Sequence, residues 1–163
     1  MSAPWTPGER DLARFVRNEA RLLDERRFDE WYGLFAADGC YWLPMSAGQT
    51  DAVTQQSLVW EDKVLLKVRV DRFGHPRAYS EQPITRCLHV LQEPDIEEAD
   101  AAANRYRLRT PFIYHESRHD SQLALAGTVR HQLRVEGGEL RIALKRVDLL
   151  DAGNMLPAIR LMP

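Results

Sequence analysis

The sequence predicts an α+β domain in which helices come first and a long, curved antiparallel or mixed sheet comes last. Three observations carry that reading. Leu12, Phe15, Val16, Ala20 and Leu23 recur at helical spacing near the start. Two later runs, Arg105 to Tyr114 and Gln122 to Val135, largely alternate between apolar and polar residues, the two-residue period of a strand with one buried face. Glu136-Gly137-Gly138-Glu139 then supplies a tight turn into Leu140, Ile142 and Leu144, which open a returning strand. Strands of this length twist, so the sheet must curve and leave a concave side for the helices.

Each element has its own local reason. Thr6-Pro7-Gly8-Glu9 offers a hydroxyl cap, a proline at the first helical position and a glutamate three residues after the cap. A helix is therefore expected from Pro7 to the region of Arg26. A short second helix is expected over Phe28 to Phe35, with Trp31, Leu34 and Phe35 on its apolar side and Asp38-Gly39 beyond its end. Cys40 to Leu43 reads as a brief strand stopped by Pro44. Residues 45–56 are polar and read as loop. Helical character returns over Ser57 to Arg72, with Val59, Leu65, Leu66 and Val70 apolar, until Gly74-His75-Pro76 breaks it. Ile84 to Glu93 is a strand candidate, joined to Arg105 by an acidic loop, Asp95 to Asp100, and the returning strand ends near Leu149.

With 163 residues the chain is expected to form one domain, residues 1–163. Its 44% apolar and 28% charged content excludes a disordered tail or a coiled-coil rod. The 22 basic residues against 24 acidic ones give a net charge of −2, without the basic excess that nucleic acid would require. No apolar run approaches the roughly 20 residues of a membrane span, and the first residues lack a basic-then-apolar signal segment. A cytoplasmic protein without membrane contact is expected, with Cys40 and Cys87 as free thiols of a reducing compartment.

Three patterns could carry chemistry. His115-Glu116-Ser117-Arg118-His119 matches the zinc-protease pattern H-E-x-x-H, with Glu139 downstream as a possible third ligand. That chemistry needs a helix, so that both imidazoles share one face. Here the first histidine ends an alternating strand and the rest falls in a polar turn, so the match reads as coincidental. Cys87-Leu88-His89 resembles half of a Rieske iron–sulfur site, but no cysteine follows Cys87 and the cluster cannot be completed. Asp38, Tyr41, His89 and His131 are candidates for a pocket on the concave interior, where a close, desolvated His–Asp pair does acid–base work; an iron site of two histidines and a carboxylate rests on the same residues. Arg105, Arg107 and Arg109, followed by Arg130 and Arg134, line strand faces as a solvated surface or as an interface, since arginine makes bidentate carboxylate contacts. Phosphate-cradling glycine loops and a nucleophile elbow are absent from the sequence.

Four stretches, in order, resemble one family. They are Glu19 to Asp38, with Arg21-Leu22-Leu23-Asp24 and Phe28-Asp29-Glu30-Trp31; Trp60-Glu61-Asp62-Lys63 with Arg69-Val70-Asp71-Arg72; Gln82-Pro83-Ile84-Thr85-Arg86; and Leu144-Lys145-Arg146-Val147-Asp148-Leu149-Leu150. In the third, Ile84 and Cys87 stand where more polar residues are expected. Together the four are similar to the small (β) subunit of aromatic-ring-hydroxylating, Rieske-type dioxygenases. The resemblance implies a cone-like α+β fold of the kind seen in nuclear transport factor 2 and scytalone dehydratase. It implies no catalytic residue, cofactor or metal on this chain. The Rieske 2Fe–2S cluster and the mononuclear iron would sit in a larger α subunit, commonly in an α3β3 ring, with a homotrimer of this chain also conceivable. Arg105, Arg107 and Arg109 then gain a role at a subunit contact. The expected function is a structural and assembly subunit of an enzyme that adds both atoms of dioxygen to an aromatic ring. The alternative is a stand-alone dehydratase or isomerase using Asp38, Tyr41, His89 or His131, with a zinc hydrolase built on His115, Glu116 and His119 third.

Overall fold

A computed structural model describes residues 5–74 and 83–163. Helices α1 (Glu9–Asp24) and α2 (Phe28–Gly33) lead into strands β1 (Phe35–Pro44) and β2 (Ser57–Glu61). Helix α3 (Lys63–Gly74) and strands β3 (Arg86–Leu91), β4 (Asp95–Asp100), β5 (Arg105–Arg118), β6 (Ser121–Glu136) and β7 (Glu139–Leu149) follow. The strands form one mixed sheet in the order β2-β1-β7-β6-β5-β3, with β4 also paired to β5. Only the β1–β7 pair is parallel among the described residues. The sheet curves around the helices, and its concave face and their apolar stripes make one core, centred on Trp31, Leu23, Leu66, Leu108, Tyr114 and Ile142. Each such side chain, fully withdrawn from water, contributes roughly 1.5–3 kcal/mol before entropy is counted.

The structure departs from the sequence expectations in four places. Helix α1 starts at Glu9, because the Asp11 carboxylate reaches back to accept the Gly8 N–H at 2.9 Å; the Thr6 hydroxyl is not the cap. The second helix stops at Gly33. Ala36, Ala37 and Asp38 already belong to β1, where Gly39 lets the backbone of β7 come close: a Cβ there would stand 2.6 Å from the Ile142 carbonyl oxygen. Ser57–Glu61 is a strand rather than the first turns of a helix, paired antiparallel to β1 from Tyr41↔Glu61 to Pro44↔Ser57. Asp95–Asp100 is likewise a strand rather than a loop. Its carboxylates face the arginines of β5, with Arg107 Nε 2.6 Å from Glu98, Arg109 3.3 Å from Asp95 and Arg105 3.1 Å from Glu98. The expected break at His75-Pro76, like Gln82 of the third stretch, lies outside the described residues.

One irregularity decides which side chains reach the interior. Strand β7 pairs Ile142 with Leu133 but Leu144 with Gln132, so the register slips by one residue between them. Such a bulge inverts the alternation beyond it. Leu140 and Ile142 point in as expected, but Leu144 does not continue the inner row; Lys145, Val147 and Leu149 are the buried residues. A lysine is thereby placed in the core.

Candidate functional site

The concave side holds three polar groups. The first surrounds Glu19, on the buried face of α1 with Leu12, Val16 and Leu23. Its carboxylate accepts from the Trp31 indole N–H at 2.5 Å and from Lys145 Nζ at 2.8 Å, and His131 Nε2 stands 3.5 Å away. All three charged or ionisable side chains are within 3% of full burial. Lys145 Nζ also sits 5.7 Å from the ring centres of Trp31 and Tyr41. Burial alone pushes the Glu19 carboxyl up, but Lys145 and then His131 outweigh it and hold it well below the usual carboxylate range. Glu19 is a buried anion whose Oε1 accepts both hydrogen bonds, while neither ring nitrogen of His131 has a hydrogen-bond partner among the described residues; a carboxylate held this way by Lys145 and Trp31 suits a structural role.

The second group is Asp24 with His89. The Asp24 Oδ1 atom lies 2.6 Å from His89 Nδ1 and accepts the His89 backbone N–H at 3.1 Å. His89 Nε2 is buried and has no hydrogen-bond partner among the described residues. Beside them the Cys87 thiol is pushed up to about 12 by burial, reinforced by Asp24 and Glu116.

The third group ties down residues 160–163. Glu116, buried on β5, accepts the Tyr114 hydroxyl at 2.7 Å, the Arg160 N–H at 3.1 Å and the Leu161 N–H at 2.7 Å. Tyr41 donates to the Pro163 carbonyl at 3.0 Å, while Leu161 and Met162 are buried in the core. Burial pushes the Tyr41 and Tyr114 phenols far above their ordinary range, so both serve as neutral hydroxyls. The tail enters the cone and fills it. What remains between Val16, Glu19, His89, Phe112, Lys145 and Pro163 measures about 10 Å³, room for one water at most. A larger hollow of about 220 Å³ lies at the other side of the tail, lined by Tyr41, Leu43, Val59, Arg69, Ile159 and Leu161 among others. Among the described residues no histidine or carboxylate lines it, and Arg69 is bound by Glu61 at 2.8 Å.

The four pocket candidates do not converge on a shared opening. Asp38 lies on the outer surface, 71% exposed and ion-paired to Arg134, so it does not face the interior. Tyr41 is engaged by the tail. His89 and His131 are buried against different carboxylates, Asp24 and Glu19. The H-E-x-x-H match runs along β5 into a turn at His119, whose φ is +55°. His115 points outward and Glu116 inward, so the three side chains cannot share one ion. Sequence spacing singled out neither Asp24 nor Lys145 nor the role of Glu19. For Glu19 a signal existed, a carboxylate on the apolar stripe of α1. For Lys145 none did, because the bulge that turns it inward is not written in the alternation.

Helices seated in a cone-shaped, mixed sheet define the fold class. The solved structures that resemble it include a putative scytalone dehydratase from Novosphingobium aromaticivorans, with a TM-score of 0.62, 13% identity and coverage of 86% of this chain and 82% of that one; this likeness shows the fold. Residues 18–153 match the ring hydroxylating beta subunit family, and the chain belongs to it. It is 27% identical over 158 residues to the benzene 1,2-dioxygenase subunit beta of Pseudomonas putida, covering 91% of this chain and 84% of that one. The beta subunit of the benzoate 1,2-dioxygenase from Burkholderia mallei superposes with a TM-score of 0.76 at 25% identity, over 97% of this chain and 99% of that one. The chain is thus the small subunit of an oxidoreductase complex of the aromatic-ring-hydroxylating dioxygenase type. Among the described residues no helix is long and apolar enough to cross a membrane.

Proposed function

We infer that this chain is the non-catalytic, structural subunit of its dioxygenase. It would dock on a larger α subunit that carries the Rieske 2Fe–2S cluster and the mononuclear iron, in an α3β3 assembly. The observation that carries the reading is the closed interior. A substrate-sized aromatic needs a cavity of hundreds of Å³; the space beside the buried histidines is about 10 Å³, and the hollow of about 220 Å³ behind the tail is lined by apolar residues, Tyr41 and an ion-paired Arg69, without an acid or base among the described residues placed to act on a substrate. The outer surface also suits a chain with more than one neighbour. Leu88, Val90 and Ile113 lie exposed on β3 and β5, with Val90 opposite Ile113. Arg109, Arg107 and Arg105 continue that face of β5. A second exposed apolar set, Leu58, Trp60, Val64, Leu65 and Val68, lies on β2 and α3. Exposed apolar sets rimmed by arginine are what subunit contacts bury. The arginines of β5 are held in place by the β4 carboxylates, so in an interface they act as a pre-ordered rim.

The test is co-expression with the large subunit, followed by size-exclusion chromatography and iron analysis of each peak. Co-elution in an iron-containing complex is expected, together with loss of that complex in Val90→Asp/Ile113→Asp while the isolated chain stays folded. Substrate turnover by the isolated chain, or a complex indifferent to both outer faces, would count against the reading.

A further inference from the structure

The end of α1 and strand β3 bring together a group that the assembly reading does not use. Cys87 and His89 stand two residues apart on β3, so both side chains lie on the helix side, and Leu88 between them is exposed. Asp24, the last residue of α1, meets both: its Oδ1 is 2.6 Å from His89 Nδ1 and 3.8 Å from Cys87 Sγ. The three donor atoms all lie within 4.8 Å of one another. The Leu23 carbonyl oxygen is 3.6 Å from the same sulfur.

A tetrahedral ion with metal–sulfur bonds of about 2.3 Å and metal–nitrogen or –oxygen bonds of about 2.0–2.1 Å holds its ligands roughly 3.3–3.6 Å apart. The observed edges of 2.6 and 3.8 Å fall on either side of that spacing. The third edge lies within 4.8 Å, so side-chain adjustments of up to about 1.3 Å bring all three to that spacing. One thiol, one imidazole and one carboxylate form a mixed donor set that suits zinc rather than calcium or magnesium. The His89 ring is 4% exposed and Asp24 19% exposed, so the imidazole is held inside while the carboxylate side opens to solvent.

We propose that Asp24, Cys87 and His89 form a binding site for a divalent cation of the zinc class, clamping the end of α1 to β3, with water in the fourth position. On binding, the Cys87 S–H bond breaks, its proton leaves to solvent and a sulfur–metal bond forms. The imidazole proton moves from Nδ1 to Nε2, which frees the Nδ1 lone pair for the ion. No electron changes hands. The site is built from this chain's residues alone and does not depend on the proposed assembly role.

The test uses the metal-free chain and Co²⁺ as an optical probe, with Zn²⁺ as competitor. One equivalent of Co²⁺ is expected to bind with a near-ultraviolet thiolate-to-cobalt band that Zn²⁺ abolishes and Cys87→Ser lacks. Asp24→Asn and His89→Gln are expected to weaken binding by more than the roughly 10–100-fold that losing a supporting contact costs. A second measurement needs no variant: Zn²⁺ should slow alkylation of Cys87 and leave Cys40 unaffected. His115→Ala/His119→Ala should bind as the unaltered chain does. The proposal is overturned by no band at millimolar Co²⁺, by a band that survives Cys87→Ser, or by binding lost with His115 and His119.

Discussion

Replacing Lys145 by methionine tests the buried ion pair at its most sensitive point. Methionine keeps the hydrophobic stem and removes the charge. Glu19 then remains 2% exposed with its principal cation gone. At 2.8 Å and an effective dielectric near 20, the direct attraction is roughly 6 kcal/mol. Part of that offsets the desolvation of both ions, and removing one partner of a buried pair costs about 3–5 kcal/mol. With a urea m-value of about 2 kcal/mol per molar, the unfolding midpoint should fall by roughly 1.5–2.5 M at neutral pH. The pH dependence adds a second check. Glu19 is held below its unfolded value, so the unfolded chain takes up that proton first as pH falls. The stability it contributes is complete above the ordinary glutamate value of about 4.3 and drains below it by up to about 1.4 kcal/mol per pH unit. The Lys145→Met variant titrates Glu19 at higher pH, so its deficit against the unaltered chain should shrink as pH falls toward 3. The double variant Glu19→Leu/Lys145→Met should recover most of the loss, since apolar replacements of buried pairs are often tolerated. A cost below about 1 kcal/mol for the single variant, or a deficit constant from neutral pH down to pH 3, would refute the reasoning.

Three further outcomes follow from the same geometry. Glu116→Ala removes the acceptor of two tail amides and one phenol; a loss of about 3–5 kcal/mol and protease cleavage after Leu150 are expected, read by denaturation and by mass spectrometry of the digest. Gly127→Ala places a methyl against the Asp148 carbonyl oxygen of β7, so the strands must separate locally, at a cost of about 1–3 kcal/mol by thermal unfolding. In the metal-free chain iodoacetamide should modify Cys40 well before Cys87, because burial pushes the Cys87 thiol up to about 12; equal rates at pH 8 would contradict that environment.

The elements legible in the sequence are those whose burial follows a simple period. Helix α1 and strands β5 and β6 each bury one face without interruption, so spacing alone finds them. Strand β2 was hidden because Leu58 and Trp60 stay exposed, and its apolar residues say nothing about a core-facing side. Strand β4 was hidden because Asp-Ile-Glu-Glu-Ala-Asp has little intrinsic strand preference. It is a strand because Arg105, Arg107 and Arg109 lie opposite its carboxylates. Of the interior groups, His89 and His131 are legible as histidines in apolar strands; Asp24 looks like an ordinary helix charge, and Glu19 is marked only by its place on the apolar stripe of α1. Asp38 was misleading for the opposite reason: the irregular start of β1 turns it to solvent.

The parallel seam between β1 and β7 sets the order in which this molecule can be made. Cys40 finds its partner at Leu144, so closing that seam means bringing together points about a hundred residues apart. During synthesis the amino-terminal helices and β1 leave the ribosome before β5, β6 and β7, so most of their apolar side is still open. Such long-range topology is slow to form and leaves a window for clumping, during which a chaperone or an early subunit partner would have its greatest effect on yield.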